Sequence, residues 1–381
     1  MATSSQINVG IGTTALYRGL NGTGIDGIGH YTKELLECLS SNPDIQLQSF
    51  TFGDAGKHAV GNVLQQLPRF SLGTLSSLVL GQSYFGIQKL RSSVDLIHAT
   101  DHLIPRCQGV PVVATVMDAI PLAHPEWVNT RFSAFKNAIW KKTVGFADRV
   151  ITISEHSKND LIEHFGIPED KINITPLGVD ERWFERPSPE YLAAVRLRYK
   201  LPENFFVFVG TLQPRKNINR IIDAHGALPD AIRNSHPLII IGRAGWQCSD
   251  ILDRLKPDNT VVRWLEYVSG DDLPSILRCA SALVFPSLHE GFGLPVLEAF
   301  AAELPVITSN VTSLPEVAGN AAILVDPYDV QHISWAMQQL IEDTAKTNLL
   351  RLLGLNRAKE FTWHKTAETT VGVYRQAIAG F

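Results

Sequence analysis

Residues 286–310 read PSLHEGFGLPVLEAFAAELPVITSN and carry two glutamates, Glu290 and Glu298, either side of a glycine-rich turn. An apolar run, 281–287, reads as a strand leading into the turn, and Pro295 suits the first position of a helix leaving it. Glycines let the backbone approach a ligand closely, so the amides of Gly291, Phe292, Gly293 and Leu294 can point at an anion. The helix start adds about half a positive charge. That is a seat for a phosphate. Glu298, about one turn into the helix, can accept hydrogen bonds from a diol such as a ribose, and Glu290 lies near whatever the phosphate carries. The plainer alternative makes Glu298 a favourable first-turn acid and leaves Glu290 solvated.

A second element is GTLQPRKNI, 210–218, where Arg215 and Lys216 stand between a strand and a helix. A guanidinium fork beside an ammonium suits a diphosphate; an exposed basic pair is the alternative. A third is GTGIDGIGHY, 22–31. Its glycines do not follow the dinucleotide fingerprint, and no ribose-binding acid is evident downstream. It fits a flexible loop opening a helix.

These loops must be held by something, and apolar runs alternate with helical patterns almost throughout. Runs at 7–12, 45–52, 94–100, 111–118 and 149–154 read as strands, the last followed by a helix capped by Ser154. The pattern restarts with 205–211, 237–245, 260–268, 281–287, 305–309 and 321–329. Short β-rich runs joined by helices imply parallel strands with crossover helices. The join lies in the Pro-rich stretch 174–190. The expectation is an α/β protein of two Rossmann-like domains, 1–178 and 179–363. The suggestive loops all follow strands, where open parallel sheets bind ligands, and two such domains face to face would form a cleft.

Length agrees with two domains: 381 residues exceed one ordinary core. With 34 basic and 38 acidic residues and a net charge of −4, spread over both halves, nucleic acid is not an expected partner. Cys38, Cys107, Cys248 and Cys279 have no metal-ligand spacing and read as reduced thiols of a cytoplasmic protein. The start, MATSSQINVGIG, lacks the charged and apolar regions of a signal peptide. No apolar stretch reaches the roughly 18 residues of a membrane span.

Glu290 and Glu298, with seven residues between and EAFAAELPVITS after, resemble the EX7E motif of retaining glycosyltransferases of family 4, the group 1 glycosyltransferases. GTLQPRKN, ITISEHSKNDL, YVSGDDLPSILRCASALVFPS and SLPEVAGNAAILVDPYD resemble that family's other marks. The resemblance implies a GT-B architecture, with two Rossmann-like domains across a deep cleft. The first would bind the acceptor, the second a nucleotide-sugar, and a final helix, about 364–381, would cross back to the first domain. It implies that Glu298 holds the ribose, Glu290 lies near the donor sugar, and the 291–294 amides contact sugar and diphosphate. Arg215 and Lys216 would neutralise the leaving diphosphate, Val268 and Leu273 flank the base, and Gly27 and Gly29 approach the phosphates from the other domain.

One position departs. Many members read His-Asp where this chain has Met117-Asp118. Asp118 is the candidate for orienting or deprotonating the acceptor hydroxyl, or it caps the next turn. Asp271-Asp272 reads as a helix cap and not as a DxD metal motif, so neither metal nor cofactor is expected. IIGRAGW, 240–246, and PLAHPEW, 121–127, resemble mannosyltransferase-like members. They point to GDP-mannose as donor, with a UDP-sugar or another NDP-sugar as the alternative, and to a saccharide or lipid-linked acceptor in polysaccharide biosynthesis. Three rivals are a GT-B nucleotide-sugar epimerase, an oxidoreductase and a non-catalytic nucleotide-sugar binder. The stretch 129–147 combines Phe132, Phe135, Ile139 and Trp140 with Arg131, Lys136, Lys141 and Lys142. It could lie peripherally on the inner face of the cytoplasmic membrane or face the core, and 75–92 could be a second surface contact or packed helix.

Overall fold

Strand segments such as Val112–Thr115 and Ala282–Phe285 are buried at every residue. A strand with no polar face needs cover on both sides, which parallel sheets with crossover helices supply. The computed structural model describes residues 6–22, 24–53, 64–127, 133–255 and 261–381. The chain divides into two units, Met1–Gly178 with Trp363–Phe381, and Val179–Thr362.

The first unit is built on β1 (Ile7–Gly12), β2 (Ile45–Phe52), β3 (Leu64–Leu67), β4 (Leu96–Ala99), β5 (Val112–Thr115), β6 (Arg149–Thr152) and β7 (Ile172–Ile174). Their order is β3-β2-β1-β4-β5-β6-β7, with every pairing parallel. The two outermost strands were not legible as strands: β3 reads LQQL and β7 only INI, too polar or too short to register as buried runs. Ser154 caps the helix Glu155–Asp160, accepting the Ser157 N–H at 3.0 Å.

The helix Trp363–Ala379 belongs to this unit and buries Trp363, Ala367, Thr370, Val371 and Tyr374, a stripe at helical spacing. Its anchor is a chain of polar groups inside the core. The Tyr374 hydroxyl lies 2.7 Å from His98 Nδ1, His98 Nε2 lies 2.8 Å from the Thr115 hydroxyl, and that hydroxyl lies 2.9 Å from Tyr31 Oη. Burial drives the His98 pKa down to about 3, so the ring is neutral and offers one donor and one acceptor.

The second unit holds β8 (Phe206–Val209), β9 (Leu238–Ile241), β10 (Val262–Leu265), β11 (Ala282–Phe285), β12 (Val306–Ser309) and β13 (Ile323–Val325), in the order β10-β9-β8-β11-β12-β13. Counted from β8 this is 3-2-1-4-5-6, the Rossmann order. Direction of winding reverses between β8 and β11, which pair in parallel through Ala282 and Phe206. The crevice beyond the carboxyl ends of those two strands is where such sheets seat ligands.

Candidate functional site

The loops leaving β8 and β11 are neighbours because the strands are. Beyond β8 the chain runs to a one-turn 3-10 segment, Pro214–Lys216, then reverses at Asn217 (φ 63°) into the helix Ile218–Gly226. Its path is fixed against the exit of β9. Leu212 bridges Ala244, and a Cβ on Gly242 would lie 2.0 Å from the Gly210 carbonyl oxygen. Beyond β11 the turn at 290–293 opens the helix Leu294–Ala301, with Gly293 at φ 110°. A Cβ there would stand 2.6 Å from Leu314 Cδ2, so both conformation and space call for glycine.

At this junction Arg215, Lys216 and Glu290 form one cluster. Lys216 Nζ lies 2.6 Å from Glu290 Oε1, and Arg215 Nη1 lies 2.8 Å from Oε2 while also donating to the His289 carbonyl at 3.0 Å. Lys216 and Glu290 are both buried, and the ammonium sits 4.8 Å from the centre of the Phe285 ring. Burial alone would raise the Glu290 pKa, but the two cations override it and take it to about 2. Burial lowers the Lys216 pKa, Glu290 opposes that, and Arg215 adds to it. Two cations around one carboxylate leave one positive charge in excess, out of bulk water, where a charge is worth most.

Three side chains hold the cluster in place. The fully buried Ser313 hydroxyl lies 2.8 and 2.9 Å from the carbonyl oxygens of Glu290 and Phe292, sharing its one proton between them, and so ties down the turn. The Glu290 N–H reaches the Thr312 hydroxyl at 3.4 Å. Asn217 Nδ2 donates to the carbonyls of Pro286 and Pro327 at 2.9 and 2.6 Å, clamping the exit of β11 to the loop after β13. Sequence reading missed these roles. The signal was present: Asn217 follows Arg215-Lys216 directly, and Ser313 begins the stretch SLPEVAGNAAILVDPYD.

The structure thus joins Arg215, Lys216, Glu290 and the buried backbone of 291–293 at one place. Leu294 opens the helix and Pro295 is its second residue, one later than expected. Glu298 is the fifth residue and half-buried, so it is no first-turn acid. Val268, beyond β10, and Leu273, which opens the helix Leu273–Cys279, are both half-buried.

Asp272 overturns its expected role. Its side chain makes no capping bond. It accepts instead from Tyr191, Tyr199 and Arg198, at 2.8, 2.8 and 2.6 Å, because three donors on the helix Pro189–Tyr199 converge on it.

In the first unit, Gly27 opens the helix Gly27–Ser40, with nothing within 4 Å of a Cβ placed on it. Gly29 is packed: a Cβ there would meet the Ile25 side chain at 2.9 Å. Asp26 caps this helix through the Gly29 N–H at 2.8 Å. Asp118 accepts the Ile120 N–H at 3.1 Å, the turn-capping role held open for it. In the helix Ser133–Val144, Trp140 packs against the core and meets Phe165 edge-on at 4.8 Å, while Phe135, Lys136, Lys141 and Lys142 are exposed. Arg131 and Phe132 lie outside the described residues.

Comparison with known proteins adds a second line of evidence. The family described as Glycosyl transferases group 1 matches residues 195–353, and that described as Glycosyltransferase Family 4 matches 25–183. The chain belongs to the group 1, family 4 glycosyltransferases. Relatives of this glycosyltransferase chain include O-antigen chain mannosyltransferase B of Escherichia coli, 37% identical over 60% of this chain and 61% of that protein. Another is the serotype-specific mannosyltransferase WbdA of Escherichia coli, 30% identical over 70% of this chain and 33% of that protein. The matches therefore span less than two thirds of these relatives.

Among solved structures, sucrose-phosphate synthase of Thermosynechococcus elongatus superimposes with a TM-score of 0.75 at 19% identity, over 99% of this chain and 100% of that one. Anabaena HepE in complex with UDP gives 0.73 at 18%, over 97% and 100%. At that identity the likeness speaks to fold alone, and the fold is GT-B: α/β, with two Rossmann-like units.

Proposed function

We propose that this chain transfers mannose from GDP-mannose to a saccharide or lipid-linked saccharide, retaining the anomeric configuration, as a step in polysaccharide assembly. One observation carries the reading: the net-cationic cluster of half-buried Arg215 with buried Lys216 and Glu290, where the winding of the second unit reverses. Breaking a sugar–diphosphate bond builds negative charge on phosphate oxygens. Fixed cations and amides at that spot hold the transition state more strongly than the substrate, because the charge is greater there.

In this reading Arg215, Lys216 and the 291–294 amides receive the diphosphate, Glu298 the ribose, and Val268 and Leu273 the base. Gly27, Gly29 and Asp118 of the first unit serve the phosphates and the acceptor hydroxyl. The excess positive charge of the cluster and the amides beside it take the place of a metal in this reading, so the reaction needs no added metal. Glu290 is a poor covalent nucleophile: both its oxygens accept from cations and its pKa is held at about 2. Departure of the diphosphate and attack by the acceptor on the same face, with the hydroxyl proton passing to the leaving oxygen, needs no enzyme nucleophile. Mannose is favoured because Escherichia coli relatives are named as mannosyltransferases.

The test is a thermal-shift panel of nucleotide-sugars, since a bound donor stabilises by mass action, followed by product analysis with and without a chelator. GDP-mannose giving the largest shift, and α-linked product forming in chelator, supports the proposal. A larger shift with a UDP-sugar overturns the donor. Sugar interconversion without transfer makes the chain an epimerase.

A further inference from the structure

The loop that leaves β10 is fastened to the end of one helix at three points. Arg263, inside β10, donates to the carbonyls of Lys200 and Tyr199 at 2.6 and 3.1 Å, where the helix Pro189–Tyr199 ends. Farther along, the Ser269 N–H donates to the Tyr199 hydroxyl at 3.2 Å, and that hydroxyl donates in turn to the Asp272 carboxylate at 2.8 Å. Arg198 donates to the same carboxylate oxygen at 2.6 Å, and Tyr191 to the other at 2.8 Å. The loop also closes on itself, because the N–H groups of Asp272 and Leu273 both donate to the Ser269 carbonyl at 3.1 Å.

Asp272 is 2% exposed, and a carboxylate out of water needs the donors it has. Burial would raise its pKa, but the bonds from Tyr191, Tyr199 and Arg198 outweigh that and hold it below the usual carboxylate range, so the anchor is charged at neutral pH. Tyr199 joins the two halves of the arrangement: its oxygen holds the loop backbone and its proton holds the carboxylate. Packing gives the loop less support. A hollow of about 320 Å³, with Arg182, Tyr191, Asp271, Pro274 and Ser275 in its lining, opens beside it, and Glu266, Tyr267, Gly270 and Asp271 are exposed. The shape of this stretch is therefore set by polar bonds to the neighbouring helix.

Val268 and Leu273, the two residues assigned to the nucleobase, flank the stretch that Ser269 and Asp272 fasten. We propose that Tyr199 and Asp272 are positioning residues for nucleotide binding: they fix the 268–273 loop in its base-binding shape before the donor arrives. A loop ordered in advance has less entropy to lose on binding, and the difference appears as affinity. The inference rests on the assignment of Val268 and Leu273 to the base. It does not involve the cationic seat, since this loop leaves β10 whereas Arg215 and Glu290 follow β8 and β11. A ligand that fills the seat alone, such as inorganic pyrophosphate, should be indifferent to the anchor, and a nucleoside diphosphate should not.

The experiment is calorimetric titration of the full chain with inorganic pyrophosphate and with GDP or UDP, whichever the wild type binds more tightly. Tyr199→Phe keeps the ring and removes only the hydroxyl. It should weaken the nucleoside diphosphate by about tenfold, the effect of one hydrogen bond at the upper end of the usual range, while pyrophosphate binds as it does to wild type. In the transfer reaction KM for the donor should rise with kcat unchanged. A merely structural loss would weaken both ligands together, and that result overturns the proposal. Leu273→Ala tests the reading beneath: it too should weaken the nucleoside diphosphate and not pyrophosphate. If it does neither, or if the wild type binds no nucleotide more tightly than pyrophosphate, the base assignment fails and the anchor with it. If Leu273→Ala divides the ligands and Tyr199→Phe does not, the anchor alone is overturned. A second measurement needs no variant. In the ligand-free wild type the Ser269 amide should exchange with solvent far more slowly than that of exposed Gly270, and equal rates would overturn the proposal.

Discussion

Replacing Glu290 by glutamine tests the cationic seat directly. The carboxylate is buried and accepts from Lys216 at 2.6 Å and Arg215 at 2.8 Å. Glutamine keeps the size and one acceptor oxygen, but turns the other oxygen into a donor that faces a cation. The net charge of the cluster rises from one to two, and one cation loses its partner out of water. Breaking a buried pair from one side costs about 3–5 kcal/mol. Amide hydrogen exchange in β11 and in the helix Leu294–Ala301, followed in increasing urea, reads that cost within the second unit. The loss should be partly recovered by inorganic pyrophosphate, and the pyrophosphate-induced gain should exceed that of wild type, because removing the carboxylate adds one unit of positive charge to the seat the anion meets. Adding Lys216→Met to Glu290→Gln should restore stability, since the double variant removes both members of the pair. A loss under about 1 kcal/mol in Glu290→Gln, or a double variant no more stable than the single one, would refute this account of the cluster.

Other outcomes follow from the same geometry. Glu290 falls from 4.5 to about 2 on folding, which at about 1.4 kcal/mol per unit is worth roughly 3 kcal/mol. A depressed carboxylate stabilises above its unfolded pKa, so this contribution should fade as pH drops from 4.5 toward 2, and Glu290→Gln should show a shallower acid loss in urea titrations. Gly293→Ala must adopt φ 110° and press a methyl against Leu314; it should cost at least about 1–3 kcal/mol and weaken the nucleotide-sugar thermal shift. Glu298→Ala and Lys216→Ala should each abolish that shift, and normal donor binding by both would sink the site assignment. Asp272→Ala leaves Tyr191, Tyr199 and Arg198 without their shared acceptor; chemical denaturation should show a loss of about 1–3 kcal/mol, whereas a helix cap alone would cost about 1.

What the residue order determined by itself is the part governed by local physics. Buried runs such as ALVF at 282–285 and LIII at 238–241 have no polar face, and glycines, Pro295 and Ser154 punctuate the elements between them. From these came the doubly wound class, the loops after strands, and the glutamates and cations that could meet a diphosphate. The weak outer strands β3 and β7 escaped, because four residues with two glutamines, or three residues in all, carry too little hydrophobic pattern.

Tertiary structure alone decided who meets whom. Arg215 and Glu290 are 75 residues apart, and they touch because β8 and β11 pair at the reversal of winding. No local rule could turn Asp272 from a cap into an anchor for three donors, since those donors lie 73 to 81 residues earlier. Pattern fixes which groups a segment can offer; packing between distant segments fixes which are spent on one another and which are left for a ligand.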